Sequence, residues 1–439
     1  MKDTASAHYA GLSELRVGMF IHLEGGWLAH PFPLSSFKLG SSEQIATIRS
    51  LGVSRVRWSP DKSDPGAGPG SFGDLTHQRD AACGPTDPAC GAPGQAVAAP
   101  KAAHDAASRR KRESLAAQRE AVRHCERQFA EATQACRALT ELVQAKPALA
   151  REQAEALAGA FVERMLGDGE TCIRLLGAGA GDKASLHAVN VTVISLLMGK
   201  AFGLSEGDML DLGVGAMLHD IGKLALPERV RHCEEHHSPA QVQYYQEHVA
   251  QGVLQARKMG LAPGAMLVIA QHHEHADGSG FPLQVTSDRM SIGSRIVSLV
   301  DRYDNLCNPH LPSRALTPHD ALSQLFAQGK TKFDTTILGG FIRMMGVYPP
   351  GSAVQLTDDR YALVVSVNSS RPLKPRVLVH DPQLPHNEAL LLDLEGEPRV
   401  GIRRSIKPQA LPREALEALA PRPRTSYFFE PVAATDTVR

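Results

Sequence analysis

The spacing of apolar side chains changes character along this sequence, and each change marks a class of element. Near the N-terminus GMFIHL reads as a strand, SSEQIATIRSLG carries apolar residues at helical spacing and stops at a glycine, and VSRVRW alternates. Residues 1–63 are therefore expected to form a small mixed α/β domain. From 64 to 103 Pro, Gly and Ala dominate (DPGAGPGSFGD, CGPTDPACGAPG). Such a stretch buries too little to offset the entropy of ordering, so a disordered linker is predicted. Residues 104–150 set Leu115, Val122, Phe129, Leu139 and Leu142 at helix-like spacing, the mark of one long helix or a helical hairpin. The basic run RRKR at 109–112 reads as a solvated face of that segment.

From 151 to 345 helical patterns follow one another, punctuated by Gly and Pro at 177–181, Gly207, Pro227, Pro239, Pro263, Gly278 to Pro282 and Pro309 to Pro318. Met198, Met209 and Met217 fall on helical faces with Leu and Val, as core residues do. After Pro349 the period becomes two: SAVQL, YALVVSV and PRVLVHD are short β-type runs separated by turn residues. The expected architecture is multidomain, with an all-α domain over 151–345, the small α/β domain before it, and a small β-rich domain over 346–439.

The 439 residues carry 47 Lys plus Arg against 47 Asp plus Glu, so a whole-surface electrostatic grip on duplex nucleic acid or anionic membrane is excluded. Any phosphate-bearing ligand must be met locally. The longest mostly apolar stretch, Val189 to Leu204, is interrupted by Asn190, Thr192, Ser195 and Lys200 and falls short of the ~20 residues a membrane span needs. No span is expected. The start MKDTASAHYA lacks the apolar core of a secretory signal, which suggests a cytoplasmic protein. Seven thinly spread cysteines suit reduced thiols better than a disulfide framework, and Cys83 with Cys90 makes a poor zinc site.

Nineteen histidines change the picture, because many cluster between 187 and 310. His219 and Asp220 are adjacent at the end of the apolar segment LGVGAMLHDIGKLALP, where an unpartnered carboxylate and imidazole would be expensive. A divalent metal satisfies both groups, and for an isolated doublet so does a buried His–Asp hydrogen bond. The doublet is not isolated: His187 lies upstream, and His248, His272, His273 and Asp301 follow on separate predicted helices. Seven candidate ligands are too many for one ion. Two cations bridged by one Asp accommodate all of them, and such a pair generates hydroxide near neutral pH and clamps the attacking and leaving oxygens at phosphorus. That chemistry is phosphoester hydrolysis.

The motifs MLHDIGKLALP at 217–227, HVAQG at 248–252, HHEHADGSGFP at 272–282, RIVSLVDRYDNL at 295–306 and HAVNV at 187–191 resemble the HD-GYP family of phosphohydrolases, a branch of the HD superfamily. The resemblance covers roughly 150–345. The N-terminal pattern LRVGMFIHLEGGWLAHPF is similar to a small domain often found ahead of HD-GYP units. Carried over residue by residue, the resemblance implies an HD-type catalytic domain with Asp220 as the bridging and catalytic ligand. It places His187, His219 and Asp301 on one metal and His248, His272 and His273 on the other. Lys223 matches a lysine expected to contact a substrate phosphate, a charge clamp that otherwise reads as a surface lysine. The implied cofactors are two divalent transition metal ions, with Fe or Mn favoured over Ni or Zn. The imidazole-rich set disfavours Mg.

The family substrate is cyclic di-GMP, a bacterial second messenger. Metal-dependent hydrolysis through a bridging hydroxide would yield linear pGpG, and the sequence leaves open whether hydrolysis stops there or goes on to GMP. Gly278, Gly280 and Phe281 in the DGSGFP loop, together with Arg314, are the further candidates for substrate contact. Departures from the family pattern are visible. Phe281 stands where a tyrosine is usual, and Lys183 occupies the position where three-metal members place a glutamate, which favours two metals. NPHLPSR replaces an RPYR-like element, with His310 at the first Arg position and Arg314 displaced by one. Asp304 reads equally as a partner behind the ligands or as a helix-surface charge. His232, His236 and His237 resemble a second cluster but lie in a polar loop, and His8, His22, His30 and His77 are scattered. Two alternatives accompany the enzyme: a cyclic-dinucleotide sensor or scaffold, and an HD hydrolase of another nucleotide. Di-iron oxygenases, which rely on Glu ligands, fit poorly. The 104–150 segment could pair two copies of the chain or cover its own domain.

Overall fold

The computed structural model describes residues 8–23, 36–50, 55–64, 99–167, 171–176, 182–232, 238–329, 331–368, 371–382, 390–397, 399–421 and 424–431. Most of the expected linker, with Cys83, Cys90 and His77, lies outside the described residues, as do His30, His236 and His237. The chain divides into two compact units, Met1–Ser114 and Leu115–Arg439.

In the first unit β1 (His8–Gly11), β2 (Phe20–His22), β3 (Ser36–Lys38) and β4 (Arg55–Ser59) form an antiparallel sheet in the order β1-β4-β2-β3, with α1 (Ser42–Ser50) between β3 and β4 in sequence. Met19, Ile21, Leu39, Ile48 and Val56 close its core. β2, α1 and β4 fall on the strand, helix and strand that the periodicity predicts, whereas β1 and β3 were not read from the sequence.

Helix α2 (Ala99–Leu142) is a single helix rather than a hairpin. Its face Cys125, Phe129, Ala132, Cys136 and Leu139 repeats at three and four residues and is buried in the core of the second unit. Over that stretch the helix covers its own domain. The helices α3 (Pro147–Leu166), α4 (Lys183–Ala201), α5 (Glu206–Leu218), α6 (Pro239–Met259), α7 (Pro263–Gln271), α8 (Ile292–Cys307), α9 (Pro318–Gln328) and α10 (Thr335–Met345) follow. Several start where a side chain accepts the first orphan amide: Asp182 for α4, Ser205 for α5, Ser238 for α6, Ser291 for α8 and Thr317 for α9. Among the described residues one helix, α4, is long and apolar enough to cross a membrane by length and composition, and 72% of that window is buried in the fold. Burial at the centre of the helical layer accounts for its apolar character.

The helix-after-helix pattern has one exception. Strand β5 (Thr171–Leu175) lies between α3 and α4 in sequence, yet it joins the sheet of β6 (Ala353–Leu356), β7 (Tyr361–Asn368), β8 (Arg376–Val379), β9 (Leu390–Asp393), β10 (Ile402–Ser405) and β11 (Tyr427–Pro431). It pairs antiparallel with both β7 and β11, while α11 (Arg413–Leu419) precedes β11. The β-rich segment and the helices share one hydrophobic core, in which Val364, Val367, Tyr427 and Phe428 belong with Val193, Leu196 and Phe161.

Candidate metal centre

The ends and inner faces of α4 to α8 converge on one point. Helix α5 stops at Leu218, so that His219 keeps helical geometry while Asp220 turns out of it at φ −96° and ψ 8°. The following 3₁₀ segment Ile221–Ala225 packs against α6 through Gly222, where a Cβ would collide with the His248 carbonyl. That close approach sets His248, on α6, opposite Asp220. His187 lies one turn into α4, His272 and His273 close α7, and Asp301 projects from α8.

These seven residues are brought together. Asp220, His248, His272 and His273 offer ligand atoms all within 4.8 Å of one another, as do His187, His219 and Asp220. The two carboxylate oxygens of Asp220 face different ways. Oδ2 is 3.5 Å from His219 Nε2 and 3.9 Å from His187 Nε2, whereas Oδ1 is 3.6 Å from His248 Nε2 and 3.8 Å from His272 Nε2. Asp301 Oδ1 lies 3.1 Å from His187 Nε2, and its Oδ2 3.8 Å from His273 Nδ1. Asn305 steadies Asp301 by donating to Oδ1 at 2.7 Å.

The outward nitrogens are already committed. His219, His248 and His272 donate Nδ1–H to the carbonyls of Ala216, Tyr245 and Ile269 at 2.7, 2.6 and 2.8 Å, and His187 donates to Asp304 Oδ2 at 2.6 Å. Every one of these bonds leaves Nε2 pointing inward, the arrangement that orients imidazoles as metal ligands. His187 Nε2 then meets His219 Nε2 at 3.2 Å, and His248 Nε2 meets His272 Nε2 at 3.3 Å. Two lone pairs at that separation require a proton or a cation between them. Asp220 Oδ1 and His273 Nε2 are buried with no hydrogen-bond partner, which is costly unless a ligand completes them. The donor set therefore fits a pair of divalent transition ions.

Charge is distributed unevenly. Burial alone would lower the His187 and His219 pKa values. Hydrogen bonds to Asp301 and Asp304 outweigh it and raise His187 to about 10, and Asp220 with Asp301 raises His219 to about 9. Burial dominates in His272, held well below its ordinary value, and in His273, lowered to about 3. Burial opposes ionisation of Asp220, but the Lys223 ammonium and His219 keep its carboxyl well below the usual range. Lys223 is at the site, with Nζ 2.6 Å from Asp220 Oδ2 and 5.3 Å from the centre of the Tyr245 ring.

The remaining candidates fall into two groups. Gly278 adopts φ +75°, which few other residues tolerate, and Gly280 lies flat against the His273 carbonyl with no space for a Cβ. These glycines fold the loop back so that the Phe281 ring sits 4.6 Å from that of His273. Arg314 occupies the exposed 3₁₀ turn Pro312–Arg314. Lys183 donates to the His310 carbonyl at 3.1 Å, and His310 stacks on His232 at 4.0 Å. Asp304 is 1% exposed and bound to His187, so it is a partner behind the ligands and not a surface charge. The sequence reading missed Glu274, which is buried and takes the Leu283 and Val285 amides at 2.6 and 3.1 Å to hold the loop. Its position between His273 and His275 in HHEH was the available signal. It also missed Asn190 and Asn308, both bound to Asp304 Oδ1 at 2.9 Å.

Histidines gathered around shared aspartates on converging helices form an arrangement that could hold divalent metal ions. Residues 138–337 match the HD domain family model, and residues 11–154 match a domain of unknown function, DUF3391. Over residues 138–337 the chain therefore carries an HD domain. It is 23% identical over 374 residues to the cyclic di-GMP phosphodiesterase PA4108 of Pseudomonas aeruginosa, covering 84% of each chain. It is 24% identical to the cyclic di-GMP phosphodiesterase PdeB of Borreliella burgdorferi, over 44% of this chain and 51% of that protein. It is also 28% identical to 3′3′-cGAMP-specific phosphodiesterase 2 of Vibrio cholerae, over 35% of this chain and 30% of that one.

Proposed function

We propose that the protein is a metal-dependent phosphodiesterase that hydrolyses cyclic di-GMP to linear pGpG. The observation that carries this reading is the Asp220 carboxylate, with one oxygen toward His187 and His219 and the other toward His248 and His272. In this reading Asp220 with His187, His219 and Asp301 would hold one ion, and Asp220 with His248, His272 and His273 would hold the other. Fe or Mn suits the imidazole-rich set best, with Ni or Zn also accommodated. When bound, such a pair lowers the pKa of water and stabilises charge developing at phosphorus.

The chain's own groups do the rest. Lys223, 20% exposed in its side chain, carries a fixed positive charge beside Asp220 and is placed to neutralise a substrate phosphoryl oxygen. Carbonyl and carboxylate partners hold the imidazoles of His187, His219, His248 and His272 in one tautomer, so they need no reorganisation as charge develops. Gly278, Gly280 and Phe281 shape the loop against His273, and Arg314 is assigned to the substrate's outer phosphate. The buried thiols Cys125, Cys136, Cys172 and Cys307 suit a reducing, cytoplasmic setting.

A second reading, an HD hydrolase of another cyclic dinucleotide, draws on His310 and the displaced Arg314, which alter the phosphate-contacting element. The deciding experiment offers Mn(II)- or Fe(II)-loaded protein cyclic di-GMP and 3′3′-cGAMP, measuring binding and product together. Linear pGpG is the expected product. Tight binding without product would make the protein a sensor, and turnover of 3′3′-cGAMP alone would move it to the second reading.

A further inference from the structure

The hydrogen bonds behind His187 continue beyond the ligands into a distant strand. Asp304 accepts three bonds: His187 Nδ1–H on Oδ2, and the Nδ2–H groups of Asn190 and Asn308 on Oδ1. Each amide gives its other N–H to the Thr425 carbonyl, at 3.0 Å from Asn190 and 2.8 Å from Asn308. Each amide oxygen takes a backbone N–H at the start of β11: Asn308 Oδ1 from Thr425 at 2.9 Å, and Asn190 Oδ1 from Tyr427 at 3.0 Å. Both amide orientations are dictated, because a carboxylate and a carbonyl can only accept. Asp304 and Asn190 are 1% exposed and Thr425 is 7% exposed, so water does not substitute for a lost partner.

We propose that the start of β11 is part of the metal centre. Thr425 and Tyr427 fix the two amides, the amides fix the Asp304 carboxylate, and Asp304 fixes the ring of His187. Undocking the strand would leave both amides with unmet bonds and free the carboxylate to turn, loosening His187. Metal binding at the His187 half and docking of β11 are therefore linked, and linkage works in both directions. Asn190, Asn308 and Asp304 are positioning residues. The proposal rests on the reading of His187 as a metal ligand.

The test compares full-length wild type, Asn308→Ala and Phe428→Leu. Phe428 packs in the core against Phe129 and Phe161, so its truncation loosens β11 without touching the amides. Mn(II) affinity is measured by chelator competition, and hydrogen exchange of the 424–429 peptide is followed with and without Mn(II). The expected result is a loss of about 10–100-fold in affinity at one of two sites in Asn308→Ala, with the other unchanged. Mn(II) should slow exchange at Tyr427 in wild type and in Phe428→Leu, but not in Asn308→Ala. Two-site loading that is identical in wild type and Asn308→Ala would overturn the linkage alone. So would wild-type affinity in a Phe428→Leu protein whose 424–429 peptide exchanges faster than in wild type. A wild type that takes up no Mn(II), Fe(II), Ni(II) or Zn(II) would overturn the metal-centre reading and this proposal with it.

Discussion

The two halves of the centre use the same side chain but support it differently. On one side His187 leans on the Asp304 carboxylate and faces Asp301, and His219 faces Asp220 and Asp301. On the other, His248 and His272 lean on helix carbonyls of their own chain turns. The carboxylate-backed half favours positive charge in its rings, whereas burial keeps His272 and His273 neutral. Basicity is thus set by the carboxylates a ring faces as well as by what stands behind it, and the halves should differ in affinity and in proton exchange.

Removing the group both halves share breaks the comparison outright. Asp220→Ala should cut turnover by about 10³-fold and abolish cooperative loading of the two ions, as checked by product formation and by metal analysis of a protein whose helical circular dichroism is intact. Lys223→Gln should lower kcat by about 10²-fold while metal content stays at the wild-type level, because the ammonium acts on substrate charge. Loss of metal in that variant would instead make Lys223 a structural partner of Asp220.

Asp304→Asn sharpens the difference. It should weaken one site by roughly 10–100-fold and spare the other, read from a two-site binding isotherm. The smallest expected effect is in protons. In chelator-stripped protein at pH 7 the surrounding carboxylates, which raise His187 to about 10 and His219 to about 9, keep a proton on this pair, and ion binding must displace it. Affinity at that half should therefore rise with pH toward 9–10. The other half, whose His272 and His273 are already neutral, should stay flat over the same range. Calorimetry in buffers of different ionisation enthalpy reads this directly.

The seven clustered residues were legible because each lies in a short motif whose polar residues interrupt an apolar run, as in MLHDIGK. What stands behind them was less so. Asp304 sits one turn after Asp301 on α8, and spacing alone does not say whether that face meets solvent or α4. Asn308 and Thr425 were invisible because 117 residues separate them and only the folded sheet brings them together. Strand β5 was missed for the same reason. Its five residues sit among helices in sequence, while its partners β7 and β11 come from the far end of the second unit. The α2 stripe was readable as a helix, although its buried face runs through Cys125, Ala132 and Cys136 as well as the Phe129 and Leu139 that the pattern picked out.

The most direct test of a shared carboxylate between two unlike halves is an anomalous-difference map from crystals loaded with Mn(II). The account predicts two peaks, one beside His187 and His219 and one beside His248 and His272, with Asp220 between them. A single peak, or none at either flank of that carboxylate, would contradict it.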